Sequence, residues 1–189
     1  DGWHHVVAIW DGTTSTNGVK LYIDGSLFDE LTANATLASQ TFTLGPTLGA
    51  DRQSSGRSIL GLDQVRIYNT ALNPNDVWLL YSETSATSST LDYPASTGAI
   101  ALYELEGDAT NTGSSTYDGA ATAVAWVPLY DGTDGGTVTY AAPSVSASFL
   151  KAGEFNGSSA AITLPNSVGN FSNTSISTWF YLNTTSGTQ

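Results

Sequence analysis

The chain has 189 residues, five Lys plus Arg against seventeen Asp plus Glu, a formal charge of −12, no Cys and no Met. So few basic side chains cannot supply the footprint that a nucleic-acid backbone or an anionic membrane surface requires. No apolar run approaches the ~20 residues of a membrane-spanning helix, and without Cys there is no disulfide framework, zinc–thiolate site or thiol nucleophile. Because a complete translation product starts with Met, the sequence is expected to be a segment of a longer protein. Five Trp, nine Tyr and six Phe, set among Val, Ile and Leu, argue against disorder despite the Ser/Thr-rich, weakly charged composition.

In chain order the patterns are short strands and tight turns. Trp3–Trp10 is β-branched and aromatic and stops at Asp11-Gly12. Val19–Ile23 follows Asn17-Gly18 and meets Asp24-Gly25, after which Ser26-Leu27-Phe28 returns, which predicts a hairpin. Thr41–Gly45 and Leu62–Tyr68 alternate with period two, as half-buried strands do. One helix is predicted: Asn73 as N-cap, Pro74 at the first helical position, Asp76 in the first turn, then Val77, Leu80 and Tyr81 as its apolar face. The stretch 82–98 is rich in Ser and Thr, lacks periodicity and reads as a linker. Strands resume at Ala99–Leu105, Ala123–Val127, Ala160–Pro165 and Ser175–Leu182, with an Asn156-Gly157 turn between.

Several of these blocks carry a resemblance. Trp3-His4-His5-Val6-Val7-Ala8, Leu21-Tyr22-Ile23-Asp24-Gly25 and Leu62-Asp63-Gln64-Val65-Arg66-Ile67-Tyr68 resemble the C-terminal half of a concanavalin A-like domain of the laminin G type. Tyr103-Glu104-Leu105-Glu106-Gly107, Glu154-Phe155-Asn156-Gly157, Ile162-Thr163-Leu164-Pro165 and Ser175-Ile176-Ser177-Thr178-Trp179 resemble its N-terminal half. The resemblance implies an all-β, concanavalin A-like jelly-roll sandwich with one short helix. It divides the chain into a C-terminal half-unit at 1–81, a linker at 82–98 and an N-terminal half-unit at 99–189. The halves stand in reversed order and the family's middle strands have no counterpart. Either the chain spans the junction of two tandem repeats, or it is a permuted sandwich whose halves pair within one chain or between copies.

Candidate chemistry is sparse. Glu104, Glu106 and Asp108 alternate, so an extended strand would aim all three carboxylates to one face. Paired acids serve glycoside hydrolysis, and the laminarinase-type relatives carry an E-x-D-x-x-E strand. This chain lacks the third matching acid, and a solvated outer strand face is the plainer reading. The resemblance also implies calcium, at positions matching Asp63, Gln64, Asp108 and Asn111; Asn111 and Gln64 stand where the family has acids, which removes two formal charges. Asp131–Gly136 reads as an acidic turn without the ligand spacing of an EF-hand. His4 and His5 are adjacent, so a strand sends them to opposite faces, which suits neither a chelate nor a catalytic pair. Trp10, Trp78, Trp126 and Trp179 read as core or edge packing before a sugar platform, and Trp126, in a small-residue context, is the one to test as a sugar-stacking surface.

These features imply no enzyme. They imply an adhesion or glycan-binding module of a larger extracellular or virion-surface repeat protein, whose partners are glycans or neighbouring copies. The alternatives are a purely structural repeat or subunit of a fibre, tail appendage or capsid decoration, and an accessory domain of a secreted glycan-degrading enzyme.

Overall fold

Turn chemistry sets the first hairpin. In the computed structural model, which describes residues 2–33, 45–51, 56–83, 90–128, 151–169 and 171–182, Asp24 (φ 49°) and Gly25 (φ 75°) both take the left-handed conformation. That geometry matches the twist of the strands it joins. It links β2 (Val19–Ile23) to β3 (Ser26–Leu31), and β2 pairs in turn with β1 (Trp3–Trp10). The expected strand at Thr41–Gly45 lies almost wholly outside the described residues.

Among the described residues the strands form two antiparallel sheets. The larger has eight strands in the order β3-β2-β1-β11-β5-β9-β8, with β6 branching from β5. Here β5 is Ile59–Tyr68, β6 Ala99–Tyr103, β8 Ala125–Pro128, β9 Lys151–Asn156 and β11 Thr174–Leu182. The smaller, β4-β10-β7, is formed by Thr47–Leu48, Ala161–Thr163 and Ala120–Thr122. The two stretches that resemble opposite halves of a domain therefore share one sheet inside one chain. β1 pairs with β11 from Trp3↔Tyr181 to Trp10↔Thr174, and β11 pairs with β5 on its other side.

Strand β5 explains why both faces of the large sheet are covered. Its last eight residues, Gly61 to Tyr68, are all buried, which a one-sided strand would not show. A bulge at Gln64, whose φ is 49°, shifts the register between Ser177↔Arg66 and Trp179↔Asp63. Leu62, Val65 and Ile67 consequently share one face. They pack with Tyr103, Phe155, Ile162 and Leu164 against the small sheet. Arg66 and Tyr68 face the opposite way, toward helix α1 (Pro74–Tyr81). There Val7, Ile9, Tyr22 and Tyr68 meet Leu72, Val77 and Leu80 in a second core cluster.

The helix follows its sequence signals closely. Asn73 Oδ1 accepts the N–H groups of Asn75 (2.8 Å) and Asp76 (3.1 Å), and Asp76 Oδ2 accepts the Asn73 N–H at 3.1 Å, a complete capping box. The described parts of the Ser/Thr-rich stretch that follows are packed onto the molecule. Glu83 is buried, Tyr93 Oη donates to the Leu79 carbonyl at 2.9 Å, and Tyr68 Oη donates to the Tyr93 carbonyl at 2.7 Å. Trp179 is likewise fully buried, as the sequence implied.

The two sheets come close where Gly49, at φ 74°, lies against the Phe155 ring; a Cβ there would fall 1.9 Å from Phe155 Cδ1. Gly49→Ala is expected to cost about 3 kcal/mol, because it adds overpacking to a strained φ. Chemical denaturation checks it, with Gly2→Ala, whose Cβ would meet nothing within 4 Å, as the control.

Candidate functional site

The acid-rich segment after β6 loses its strand geometry early. β6 ends at Tyr103 rather than Leu105, and Leu105 takes φ 59° while its side chain is buried. The left-handed residue breaks the alternation, so Glu104, Glu106 and Asp108 are not aligned on one strand face. Glu104 Oε1 accepts the Thr112 hydroxyl at 2.5 Å. Asp108 is exposed and its Oδ1 accepts the Thr110 N–H (2.8 Å) and hydroxyl (2.6 Å), bonds that hold its carboxyl below the usual range.

The four residues expected to hold calcium are divided by β6. Asp63 and Gln64 are buried on β5; Asp63 Oδ1 accepts the Gln64 N–H at 2.8 Å, and the Gln64 Oε1 acceptor is buried. Asn111 pairs with Tyr103 along the far edge of β6, itself hydrogen-bonded to β5. Two strand spacings, about 10 Å, therefore separate its backbone from β5. Its carboxamide is engaged at both ends, Oδ1 by the Leu102 N–H at 2.8 Å and Nδ2 on the Ser114 carbonyl at 2.9 Å. A calcium ion needs six to eight oxygens at about 2.4 Å. Among the described residues no three His, Cys, Asp or Glu side chains cluster closely enough to hold a metal ion. The acidic turn at 131–136 lies outside the described residues.

Trp126 is half-buried on β8. It pairs with Gly153 of β9, packs against the core cluster, and has its Cζ3 3.3 Å from where a Gly153 Cβ would stand. Sequence reasoning missed the more open indole. Trp78 on α1 is 51% exposed, although it was assigned to packing. A signal was present: Val77, Leu80 and Tyr81 define the apolar stripe, and Trp78 stands one position off it, about 100° round the helix. Its ring lies 5.6 Å from that of Tyr81, and Tyr81 stacks on the buried Trp179 at 5.9 Å and 26°.

Behind these rings lies a buried polar cluster. Arg66 Nη1 is 2.7 Å from Glu83 Oε2, both side chains almost wholly buried, and Trp179 Nε1 donates to Glu83 Oε1 at 3.4 Å. Burial raises the Glu83 carboxyl, opposed by the Arg66 charge. His5 Nε2 lies 2.8 Å from Ser177 Oγ, while Nδ1 has no hydrogen-bond partner among the described residues. A second ring proton would have nowhere to go, and burial plus the Arg66 charge lower the His5 pKa to about 3. The arrangement offers no nucleophile–base pair open to substrate. It is a buried support for the surface above it.

Residues 1–78 match the family model of the concanavalin A-like lectin/glucanases superfamily, laminin G type. No curated protein and no solved structure matches the chain. Over those residues the match suggests a carbohydrate-binding or adhesion-type module at the level of the superfamily, and the antiparallel sheets are consistent with its β-sandwich fold. No helix among the described residues is long and apolar enough to cross a membrane.

Because the folded His5 titrates near 3 and the unfolded side chain near 6.5, the unfolded chain binds the extra proton between those values. Stability therefore falls as pH drops below 6.5, with a slope from this group approaching about 1.4 kcal/mol per pH unit. Glu83, raised rather than lowered, works in the opposite sense above its ordinary value. The His5 contribution is isolated by comparing wild type with His5→Gln in denaturant titrations from pH 7.5 to pH 4. The variant is expected to lose that slope, whatever its absolute stability.

Proposed function

From the superfamily match over residues 1–78 we propose that this chain is a non-enzymatic binding module of a larger extracellular or virion-surface protein, and that its ligands are glycans. One observation favours binding over cleavage. The left-handed turn at Leu105 dissolves the only row of acids that the sequence offered for acid–base work, and glycoside hydrolysis needs two carboxyl groups held at a fixed separation across the bond. A net charge of −12 favours neutral ligands over anionic ones.

A structural role within an assembly is the second reading, supported by the outer edge of the large sheet. There β3 exposes Leu27, Phe28 and Leu31 at 48%, 68% and 60%, and an apolar edge strand invites pairing with another chain. The two readings separate experimentally. A glycan array probed with the chain is expected to give neutral-glycan signals that survive a chelator. Blank arrays together with concentration-dependent oligomers in sedimentation velocity would favour the structural role instead. A signal lost in chelator would restore calcium to the site.

A further inference from the structure

We propose that Trp78, backed by Tyr81 and bordered by the Asp24-Gly25 turn, is a platform on which one face of a neutral sugar ring stacks. The proposal deepens the binding-module reading and rests on it.

Three observations converge on this spot. First, Trp78 is half exposed, yet it belongs to a continuous aromatic column: Trp179 is wholly buried, Tyr81 stacks on it at 5.9 Å, and Trp78 lies 5.6 Å beyond. An exposed indole held from behind has little conformational freedom left to lose on binding. Second, Gly25 closes the border of the platform. A Cβ at this position would stand 3.0 Å from Tyr81 Cδ1 and 3.1 Å from Trp78 Cε3, so the turn backbone lies directly against both rings. The turn thus fixes the edge of the surface without covering it with a side chain. Third, polar groups stand at that edge. Asp24 Oδ1 accepts the His5 N–H at 2.9 Å and Oδ2 lies 2.8 Å from His4 Nδ1, so the carboxylate is oriented while each oxygen keeps a second lone pair. Burial and the Asp24 charge hold the Tyr81 hydroxyl protonated, above its ordinary range.

Size and charge select the occupant. Half of an indole is about 100 Å² of surface. That is far below the roughly 800 Å² per partner of a stable protein interface, but comparable to one face of a pyranose. The C–H groups on that face meet the electron-rich ring, and hydroxyl groups at its rim can donate to a fixed carboxylate. The overall charge of −12 disfavours acidic sugars and phosphorylated ligands.

The test is a titration with cello-, galacto- and manno-oligosaccharides, followed by tryptophan fluorescence and calorimetry, on wild type, Trp78→Ala, Trp78→Phe and Trp126→Ala. Wild type is expected to bind at least one series with a change in emission. Trp78→Ala should weaken that binding about tenfold or more, Trp78→Phe should retain part of it, and Trp126→Ala should bind as wild type. The exposed position and the high helix propensity of Ala make a folded Trp78→Ala the expectation; Trp78→Gln replaces it if thermal melting shows otherwise. Wild-type affinity in the Trp78 variants overturns the platform and leaves the binding-module reading standing. Failure of wild type to bind any of the three series, together with a blank glycan array, overturns both.

Discussion

Strand β11 is the interaction on which the other features of this protein depend. It lies hydrogen-bonded between β1 and β5, each more than a hundred residues away from it in sequence. One of its faces then organises what covers the sheet. Ser175 Oγ donates to the Thr70 carbonyl at 2.8 Å and accepts the Leu72 N–H at 3.0 Å, anchoring the chain just before α1. Ser177 meets the buried His5, and Trp179 receives Tyr81 and donates to Glu83. Small hydroxyls at alternate positions let the covering backbone come close, and the indole then fills the space where the helix ends.

The buried Arg66–Glu83 pair belongs to the same seam. Two charges removed from water gain little net stability from each other, since the desolvation penalty offsets most of their attraction. Losing one partner is another matter, typically about 3–5 kcal/mol, because the survivor stays buried and unpaired. The pair therefore acts less as a source of stability than as a constraint on position: the chain leaving α1 must return to the sheet at Glu83. That placement fixes Trp179 and Tyr81, and through them the orientation of Trp78.

Much of this was legible in the sequence where the signal is local. The capping box at Asn73 and Asp76, the Asp24-Gly25 turn and the extents of β1 and β2 follow from residue chemistry within a few positions. The site was less legible. Alternation alone put Glu104, Glu106 and Asp108 on one face, but a left-handed Leu105, buried in the core, ends the strand first. Trp126 stood out because its sequence neighbours are small; Gly153, against which its indole lies, is on another strand. Trp78 looked like packing because tryptophan in a short helix commonly packs.

The sequence by itself determined that the chain is all-β with one capped helix, that it holds no Cys for thiol chemistry, and that its blocks resemble two halves of one kind of sandwich. These rest on composition and on contacts a few residues long, which the chain carries wherever it folds. Only the tertiary structure decided that the halves pair with each other in one sheet, that β6 stands between the residues implied for calcium, and that Trp78 rather than Trp126 is the open aromatic. Each is a matter of which distant strand lies alongside which. That choice is governed by the burial of faces summed over the whole sheet, with the bulge at Gln64 selecting which side chains share a side.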